Sequence, residues 1–215
     1  MKNKRLKFTK HTSLLFIFII LAISLVSCSN FDKSTYIEES LLKASNYISD
    51  REYNKALEIY EQNLQIDPLN IKTLYNKALV LNYLNKTDQA LETVNILINH
   101  YPYNIKAYQL KIDIYSKLND SDKVINTYDS LLETNPSLYS IRADFITYLL
   151  SINENKAYNA LIKENAIYLL ERNIQPLVAL KALCTIEKNN AEYSALLLFH
   201  DENYWKEIYT QNIDN

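Results

Sequence analysis

The chain has 215 residues, 48% of them hydrophobic and 22% charged, with a formal net charge of −2. This length is sufficient for one domain with a hydrophobic core of its own. The sequence contains no glycine, which excludes the glycine-rich phosphate loop and the glycine fingerprint of dinucleotide-binding domains.

The first segment of the chain has the pattern of an export signal. Basic residues stand at the very N-terminus, at Lys2, Lys4, Arg5, Lys7 and Lys10. An apolar stretch follows over residues 14–26, and it is shorter than the roughly 20 residues that an ordinary membrane-spanning helix needs. The pattern predicts a signal peptide over residues 1–27.

The apolar stretch ends in the tetrad Leu25-Val26-Ser27-Cys28. This tetrad is similar to the lipobox of bacterial lipoproteins. The resemblance implies that residues 1–27 are removed and that Cys28 is diacylated, with residues 28–35 as a lipidated tether. It also implies a chain that is lipid-anchored in the bacterial cell envelope. We expect the chain to face the periplasm in preference to the cell surface, and the sequence leaves both faces and both membranes open. The alternatives are a secretory signal with an incidental cysteine and an uncleaved anchor.

Removal of the signal peptide changes the charge balance. The five basic residues leave with it, so that 18 basic residues remain against 25 acidic ones, a formal net charge of −7. An acidic chain argues against nucleic acid as a partner and against electrostatic binding to anionic lipid. The acyl chains on Cys28 would therefore have to supply the membrane affinity.

Three prolines, Pro68, Pro102 and Pro136, follow one another at intervals of 34 residues. Other positions recur at the same spacing, namely Ala44/Ala78, Ala56/Ala90/Val124 and Leu64/Ile98/Leu132. A fixed period of this length is typical of repeat solenoids, in which each repeat is one supersecondary unit.

The segments around these prolines are Asn54-Lys-Ala-Leu-Glu-Ile-Tyr60, Asp88-Gln-Ala-Leu-Glu-Thr-Val94 and Asp122-Lys-Val-Ile-Asn-Thr-Tyr128. They resemble the tetratricopeptide repeat (TPR), a helix–turn–helix unit of about 34 residues. The resemblance implies an all-α fold, an α-α superhelix of antiparallel helix pairs, with repeats over 37–70, 71–104 and 105–138. The family has a bulky residue at one position of the first helix. The second and third repeats have Leu74 and Tyr108 at this position, but the first repeat has Ser40.

The predicted helices follow in chain order. Thr35 and Glu38 form a predicted capping box that opens the first helix, which ends near Ser49. The next five helices are predicted over 52–65, 71–84, 87–99, 104–118 and 121–134, the last of them capped by Ser121. Beyond Pro136 the 34-residue phase is lost. Residues 139–215 are predicted as degenerate helical repeats and a C-terminal cap, with helices over 138–152, 155–172, from Pro176, over 191–200 and over 202–213.

The TPR resemblance also implies where a ligand binds, because ligands of the family lie mostly against the first helix of each repeat. In the second repeat the implied positions are Lys72, Tyr75, Leu79, Asn82 and Tyr83. In the third they are Lys106, Gln109, Asp113, Ser116 and Lys117, and in the first they are Glu38, Leu41, Ser45 and Ile48. Tyrosine offers a large contact area and a polar tip, which predicts a peptide groove in the second repeat. The alternative is that these tyrosines pack between helices.

No motif indicates catalysis, a metal site or a cofactor. His100 and His200 have no second ligand at metal-binding spacing, and Cys184 in its apolar stretch is predicted to be a small buried hydrophobe. We therefore expect a non-enzymatic protein–protein interaction scaffold of the cell envelope, with a role in envelope protein assembly or secretion. A periplasmic small-ligand or glycan-binding protein and an accessory subunit of a cell-wall enzyme are the alternatives.

Overall fold

The computed structural model describes residues 33–153 and 156–200. The signal peptide, Cys28, the tether up to residue 32 and the helix predicted over 202–213 lie outside the described residues. Within them, none of the helices combines the length and the apolar character that crossing a membrane requires.

The described residues form α-helices joined by short turns. Helix α1 covers 33–49. The others are α2 (Tyr53–Ile66), α3 (Ile71–Tyr83), α4 (Thr87–His100), α5 (Ile105–Lys117), α6 (Ser121–Thr134), α7 (Tyr139–Ile152), α8 (Asn159–Glu171), α9 (Pro176–Ile186) and α10 (Ala191–His200). These bounds agree with the prediction to within one or two residues at most helix ends, because the turn residues recur with the 34-residue period.

Three predicted helix starts are wrong in detail. Residues 33–35 are already helical, so Thr35 does not open α1. Asp120, and not Ser121, caps α6, since its Oδ1 accepts a hydrogen bond from Lys123 N. Helix α8 begins at Asn159 instead of residue 155, because Asn153 holds a turn there: its Oδ1 accepts from Tyr158 N at 3.0 Å.

The described chain divides into two compact units, which we call the first unit (33–97) and the second unit (98–200). The first unit holds α1, α2, α3 and most of α4. The second unit holds the end of α4 and α5 to α10. The 34-residue period runs through both units, and the sequence does not predict the division between them.

Left-handed backbone appears at the turn between the two helices of each repeat. Arg51, Asn85 and Asn119 have φ of 60°, 57° and 55°, and they are spaced by 34 residues. Glycine is the usual residue in this conformation, and asparagine tolerates it better than most others. In a chain without glycine, asparagine therefore takes this place in two of the three repeats.

Asparagine also caps the first helix of the second and third repeats. Asn70 Oδ1 accepts a hydrogen bond from Thr73 N at 3.0 Å, and Asn104 Oδ1 accepts one from Ala107 N at 3.2 Å. Each bond satisfies a backbone donor that a helix start leaves unpaired, which is worth about 1 kcal/mol. The repeat boundaries are thus fixed by residues that recur with the period.

Small residues stand at the positions where the TPR resemblance brings the two helices of a repeat together. Ala44, Ala56, Ala78 and Ala90 are all fully buried. In the third repeat Ile112 and Val124 are buried at the same positions. The close-packing positions of the sequence prediction are thus all inside the protein.

The core of the second unit is built around α7. Phe145, Ile146 and Leu149 are fully buried there, and they pack with Ile162 and Leu169 of α8 and with residues of α9. Tyr128 of α6 stacks on Phe145 with ring centroids 4.7 Å apart. Burial, and then the nearby Asp144 carboxylate, raises the pKa of the Tyr128 hydroxyl to about 12.

Candidate binding surface

The predicted ligand positions of the second repeat lie on one partly exposed face of α3. We call Lys72, Tyr75, Leu79, Asn82 and Tyr83 the α3 strip. Lys72 and Tyr83 are exposed, and the three residues between them are half-buried. The opposite face of α3 is buried and includes Leu74, Ala78 and Leu81. The strip is therefore the side of α3 that remains accessible after the core has formed.

The predicted positions of the first repeat form a matching face on α1. We call Glu38, Leu41, Ser45 and Ile48 the α1 strip. Its two apolar members are half-buried and its two polar members are exposed. Like α3, helix α1 directs other residues inward, with Ile37 and Ala44 buried.

An ion pair joins the α1 strip to the α3 strip. Lys72 Nζ lies 2.6 Å from Glu38 Oε1, and the two residues are one repeat apart. Both side chains are more than half exposed. Ion pairs of this kind add at most about 1 kcal/mol to stability, so a charged ligand can replace either partner at little cost.

Tyr83 makes an aromatic contact inside the first unit. Its ring lies 5.5 Å from the ring of Tyr53 on α2, measured between centroids, at an interplanar angle of 31°. Tyr83 nevertheless remains 49% exposed. Tyr83 thus packs partly against α2, in line with the alternative that these tyrosines pack between helices. The other half of its side chain remains accessible to a ligand.

The predicted positions of the third repeat lie on α5 in the second unit. Lys106, Gln109, Asp113, Ser116 and Lys117 are all exposed. The group contains no apolar or aromatic side chain, in contrast to the α1 and α3 strips. Among the ligand positions predicted for the first three repeats, those with apolar or aromatic side chains therefore all lie in the first unit.

Two polar pairs, each with one buried asparagine, were not predicted from the sequence. Ser40 Oγ lies 2.8 Å from Asn63 Oδ1 and also 2.8 Å from Ile37 O, and its single proton can be donated to one of them at a time. Arg142 Nη1 donates to Asn165 Oδ1 at 2.5 Å. Each pair joins the first helix of a helix pair to the second, and the two pairs are three periods of 34 residues apart.

The first of these pairs occupies two positions that are apolar in the next repeat. The positions of Ser40 and Asn63 are held one repeat later by Leu74 and Leu97, both buried. Asn63 is fully buried, and its Nδ2 atom has no hydrogen-bond partner among the described residues; the same is true of the buried Nε of Arg142. An unpaired buried donor of this kind lowers stability by about 1–3 kcal/mol.

Arg142 also stacks on an aromatic ring in the second unit. Its guanidinium carbon lies 3.9 Å from the centroid of the Tyr168 ring, and that of Arg172 lies 3.7 Å from the same centroid. Burial lowers the pKa of Arg142, and the carboxylates of Glu164 and Asp129 act in the opposite direction. Because Tyr168 belongs to α8 and its hydroxyl donates to Pro136 O, this cluster secures α8 against the start of α7.

Two clefts lie at helix ends. One, of about 330 Å³, is lined in the first unit by Lys33, Ser34, Ile37, Glu38, Ile66, Asp67 and Asn70. The other, of about 680 Å³, is lined in the second unit by Lys156 and residues 185–190. Among the residues that the structure describes, no three His, Cys, Asp or Glu side chains are grouped to hold a metal ion. Cys184 is half-buried on α9.

Solved structures share this arrangement of helices. A tetratricopeptide repeat protein from Parabacteroides merdae matches with a TM-score of 0.56 and 19% identity, over 76% of this chain and 64% of that protein. The MamA protein matches with a TM-score of 0.56 and 13% identity, over 79% of this chain and 94% of its own. The fold is that of the TPR solenoids. The prediction of an all-α solenoid of TPR type is thus confirmed.

Within the TPR fold, α1, α3 and α5 are the first helices of their repeats, and they carry all the predicted ligand positions. A third similar structure is the complex of Naa15/Naa10 bound to HypK-THB, with a TM-score of 0.56, 18% identity and coverage of 78% of this chain and 25% of that one. At these identities the likeness concerns the fold. No protein-family model matches the sequence, and no curated protein is significantly similar to it.

Proposed function

We propose that this protein is a membrane-anchored, non-catalytic scaffold of the bacterial cell envelope. It binds an extended peptide or a helix of a partner protein on the α1 and α3 strips. The observation that carries this proposal is the row of half-buried Leu41, Ile48, Tyr75 and Leu79 on two successive first helices, because partly exposed apolar and aromatic side chains are what protein ligands bind.

The strips combine apolar contact with polar recognition. Tyr75, Leu79 and Tyr83 offer apolar surface, while Asn82 and the Lys72–Glu38 ion pair offer hydrogen bonds and charge. The helices that carry them are fixed by the buried alanines and, for α3, by the cap at Asn70. Because the surface is already ordered, a ligand meets little ordering cost when it binds.

The proposed lipid anchor sets where this surface operates. Four residues, 29–32, lie between Cys28 and Lys33, where the described part of the chain begins, and the five steps from Cys28 to Lys33 span at most about 18 Å. The proposal therefore places the first unit near the membrane, and it assigns this unit to the periplasmic side. Confinement there raises the effective concentration of a membrane-bound partner, which suits a role in envelope protein assembly or secretion.

One of the similar structures supports a scaffold. Naa15/Naa10, which shares the TPR fold with this chain, is bound to HypK-THB in the structure that matches. At least one protein of this fold thus binds a protein partner, and we propose that the present protein also does.

Removal of the two tyrosines of the α3 strip tests this function. Partner capture by the Tyr75→Ala/Tyr83→Ala variant is expected to fall more than tenfold, because buried aromatic anchors contribute about 2 kcal/mol or more each to binding. The measurement is quantitative mass spectrometry of proteins crosslinked and purified with each form from solubilised envelopes.

Two further variants make this experiment specific. Tyr103→Ala removes a 73% exposed tyrosine in the turn before α5, outside both strips, and should capture the partner as the wild type does. Tyr75→Phe/Tyr83→Phe retains the rings and should keep most of the binding. Undiminished capture by the double alanine variant, with its helicity intact, would refute the proposed binding surface.

A further inference from the structure

Three large apolar side chains are exposed at one end of the first unit. Tyr36, Leu69 and Ile71 are 48%, 36% and 42% exposed, and we call them the end patch. Tyr36 lies in the first described turns of α1, Leu69 lies in the turn before α3, and Ile71 is the first residue of α3. The end patch is separate from the α1 and α3 strips, which run along the sides of these two helices.

Two features show that the start of α1 lies beside the turn that carries Leu69. The cleft of about 330 Å³ is lined both by residues of the range 33–38 and by residues of the range 66–70. The ion pair between Lys72 and Glu38 joins the first turn of α3 to α1 at the same level. The end patch therefore belongs to the end of the unit at which α1 and α3 start and α2 finishes.

The turn between α2 and α3 is held by its own hydrogen bonds. Asp67 Oδ2 accepts a hydrogen bond from Asn70 Nδ2 at 3.1 Å, and Asn70 N donates to Asp67 O at 3.2 Å. Pro68 restricts the backbone further, because its ring fixes φ. Leu69 is therefore exposed on an ordered turn, and contact with another surface does not require the turn to be ordered first.

The end patch lies at the end of the unit to which the proposed lipid anchor is attached. The five steps from Cys28 to Lys33 span at most about 18 Å, so this end cannot move far from the membrane once Cys28 is acylated. A short tether gives an effective concentration in the millimolar range, at which a contact too weak to form between free partners is populated. The lipid bilayer is thus the surface that the end patch meets most readily.

Charge does not oppose this contact. The charged side chains within three residues of the end patch in the sequence are Lys33, Lys72, Glu38, Glu39 and Asp67, which sum to a formal charge of −1 (2 − 3). An apolar and nearly neutral surface can approach a bilayer without strong repulsion. Tyrosine suits the headgroup region in particular, because its ring and its hydroxyl find apolar and polar surroundings there.

We propose that the first unit rests on the membrane surface with the end patch in the headgroup region of the bilayer. Helices α1 and α3 then start at the membrane and lead away from it. The ion pair of Glu38 and Lys72 is the part of the strips nearest to the membrane, and Ile48 and Tyr83 are the parts farthest from it. This inference rests on the lipid anchor of the proposed function, and it adds the orientation in which the strips meet a partner.

A fluorescent label on the turn measures this contact. With Cys28 acylated, Cys184→Ser removes the other cysteine of the chain, and Leu69→Cys then takes a single environment-sensitive dye. The full-length lipidated protein is placed in phosphatidylcholine vesicles that contain nitroxide-labelled lipid. We expect the nitroxide to quench the dye at position 69 severalfold more strongly than a dye introduced by Asn54→Cys. Asn54 is exposed near the start of α2, and this helix is about 20 Å long.

Two double variants make the experiment specific. Tyr36→Lys/Ile71→Lys replaces apolar members of the end patch by charged side chains and should reduce the quenching at position 69 to the level found at position 54. Asn46→Lys/Gln62→Lys adds the same charge at exposed positions outside the end patch and should leave the quenching unchanged. Vesicle flotation and far-UV circular dichroism check that each variant remains anchored and helical.

Several results would overturn the inference. Equal quenching at positions 69 and 54, in protein that floats with the vesicles, would contradict the orientation and leave the lipid anchor intact. Protein that does not float would contradict the anchor and the inference together. Strong quenching that persists in Tyr36→Lys/Ile71→Lys would show that the tether alone brings position 69 to the bilayer. Equal quenching in vesicles, combined with crosslinking of position 69 to a protein in envelopes, would assign the end patch to a protein partner.

Discussion

Substitution of Phe145 by alanine is expected to lower the free energy of unfolding of the second unit by about 3–5 kcal/mol. Phe145 is fully buried in the core cluster and stacks on Tyr128. Its removal takes a large apolar surface from the core and leaves a cavity that rigid helices on either side cannot close. Urea unfolding followed by far-UV circular dichroism measures this loss as a lower midpoint at constant slope.

A substitution on the exposed side of the same helix provides the control. Ser140→Ala on α7 should change the free energy of unfolding by no more than about 0.5 kcal/mol, because Ser140 is exposed. If Phe145→Ala were equally mild, the core of the second unit would not be organised around α7.

The second large effect is a gain in stability. Replacement of the polar pair in the first unit by the double change Ser40→Leu/Asn63→Leu should raise the free energy of unfolding by about 2 kcal/mol, from added apolar burial and the loss of an unpaired donor. One repeat later, Leu74 and Leu97 already occupy these positions in a buried state. The helix pair can therefore hold two leucines there.

A single change in this pair should lower the free energy of unfolding instead. Ser40→Ala leaves the buried Asn63 side chain without its hydrogen-bond donor and should lower the free energy of unfolding by about 1–3 kcal/mol. The measurement is thermal and urea unfolding of Ser40→Ala, of Ser40→Leu/Asn63→Leu and of the wild type. A double variant that is less stable than the wild type would show that Ser40 and Asn63 are favoured by the packing around them.

Much of the fold follows from the sequence because its markers are local and periodic. Pro68, Pro102 and Pro136 mark the repeat ends, and buried alanines mark the close contacts, so the bounds of α2 to α6 could be placed from them. The start of α8 could not, because it depends on the hydrogen bonds that the Asn153 side chain makes with Tyr158 N and with Asn159 Oδ1.

The candidate surface could be predicted from the sequence as one side of α1 and α3, but its contacts could not. The residues of α1 and α3 that the TPR resemblance selects lie on the accessible sides of their helices. The contact between Tyr83 and Tyr53, however, depends on how two helices pack in three dimensions. The polar pairs had one sequence signal, since Asn63 and Asn165 stand three periods apart at positions where Leu97 and Leu131 are apolar.

The measurement that tests the scaffold most directly compares the wild type with Cys28→Ala by crosslinking in cells, affinity purification and mass spectrometry. The proposed function predicts a stable envelope partner that the wild type captures from the membrane and that Cys28→Ala loses together with its membrane association. Failure to capture any protein partner with either form would contradict it.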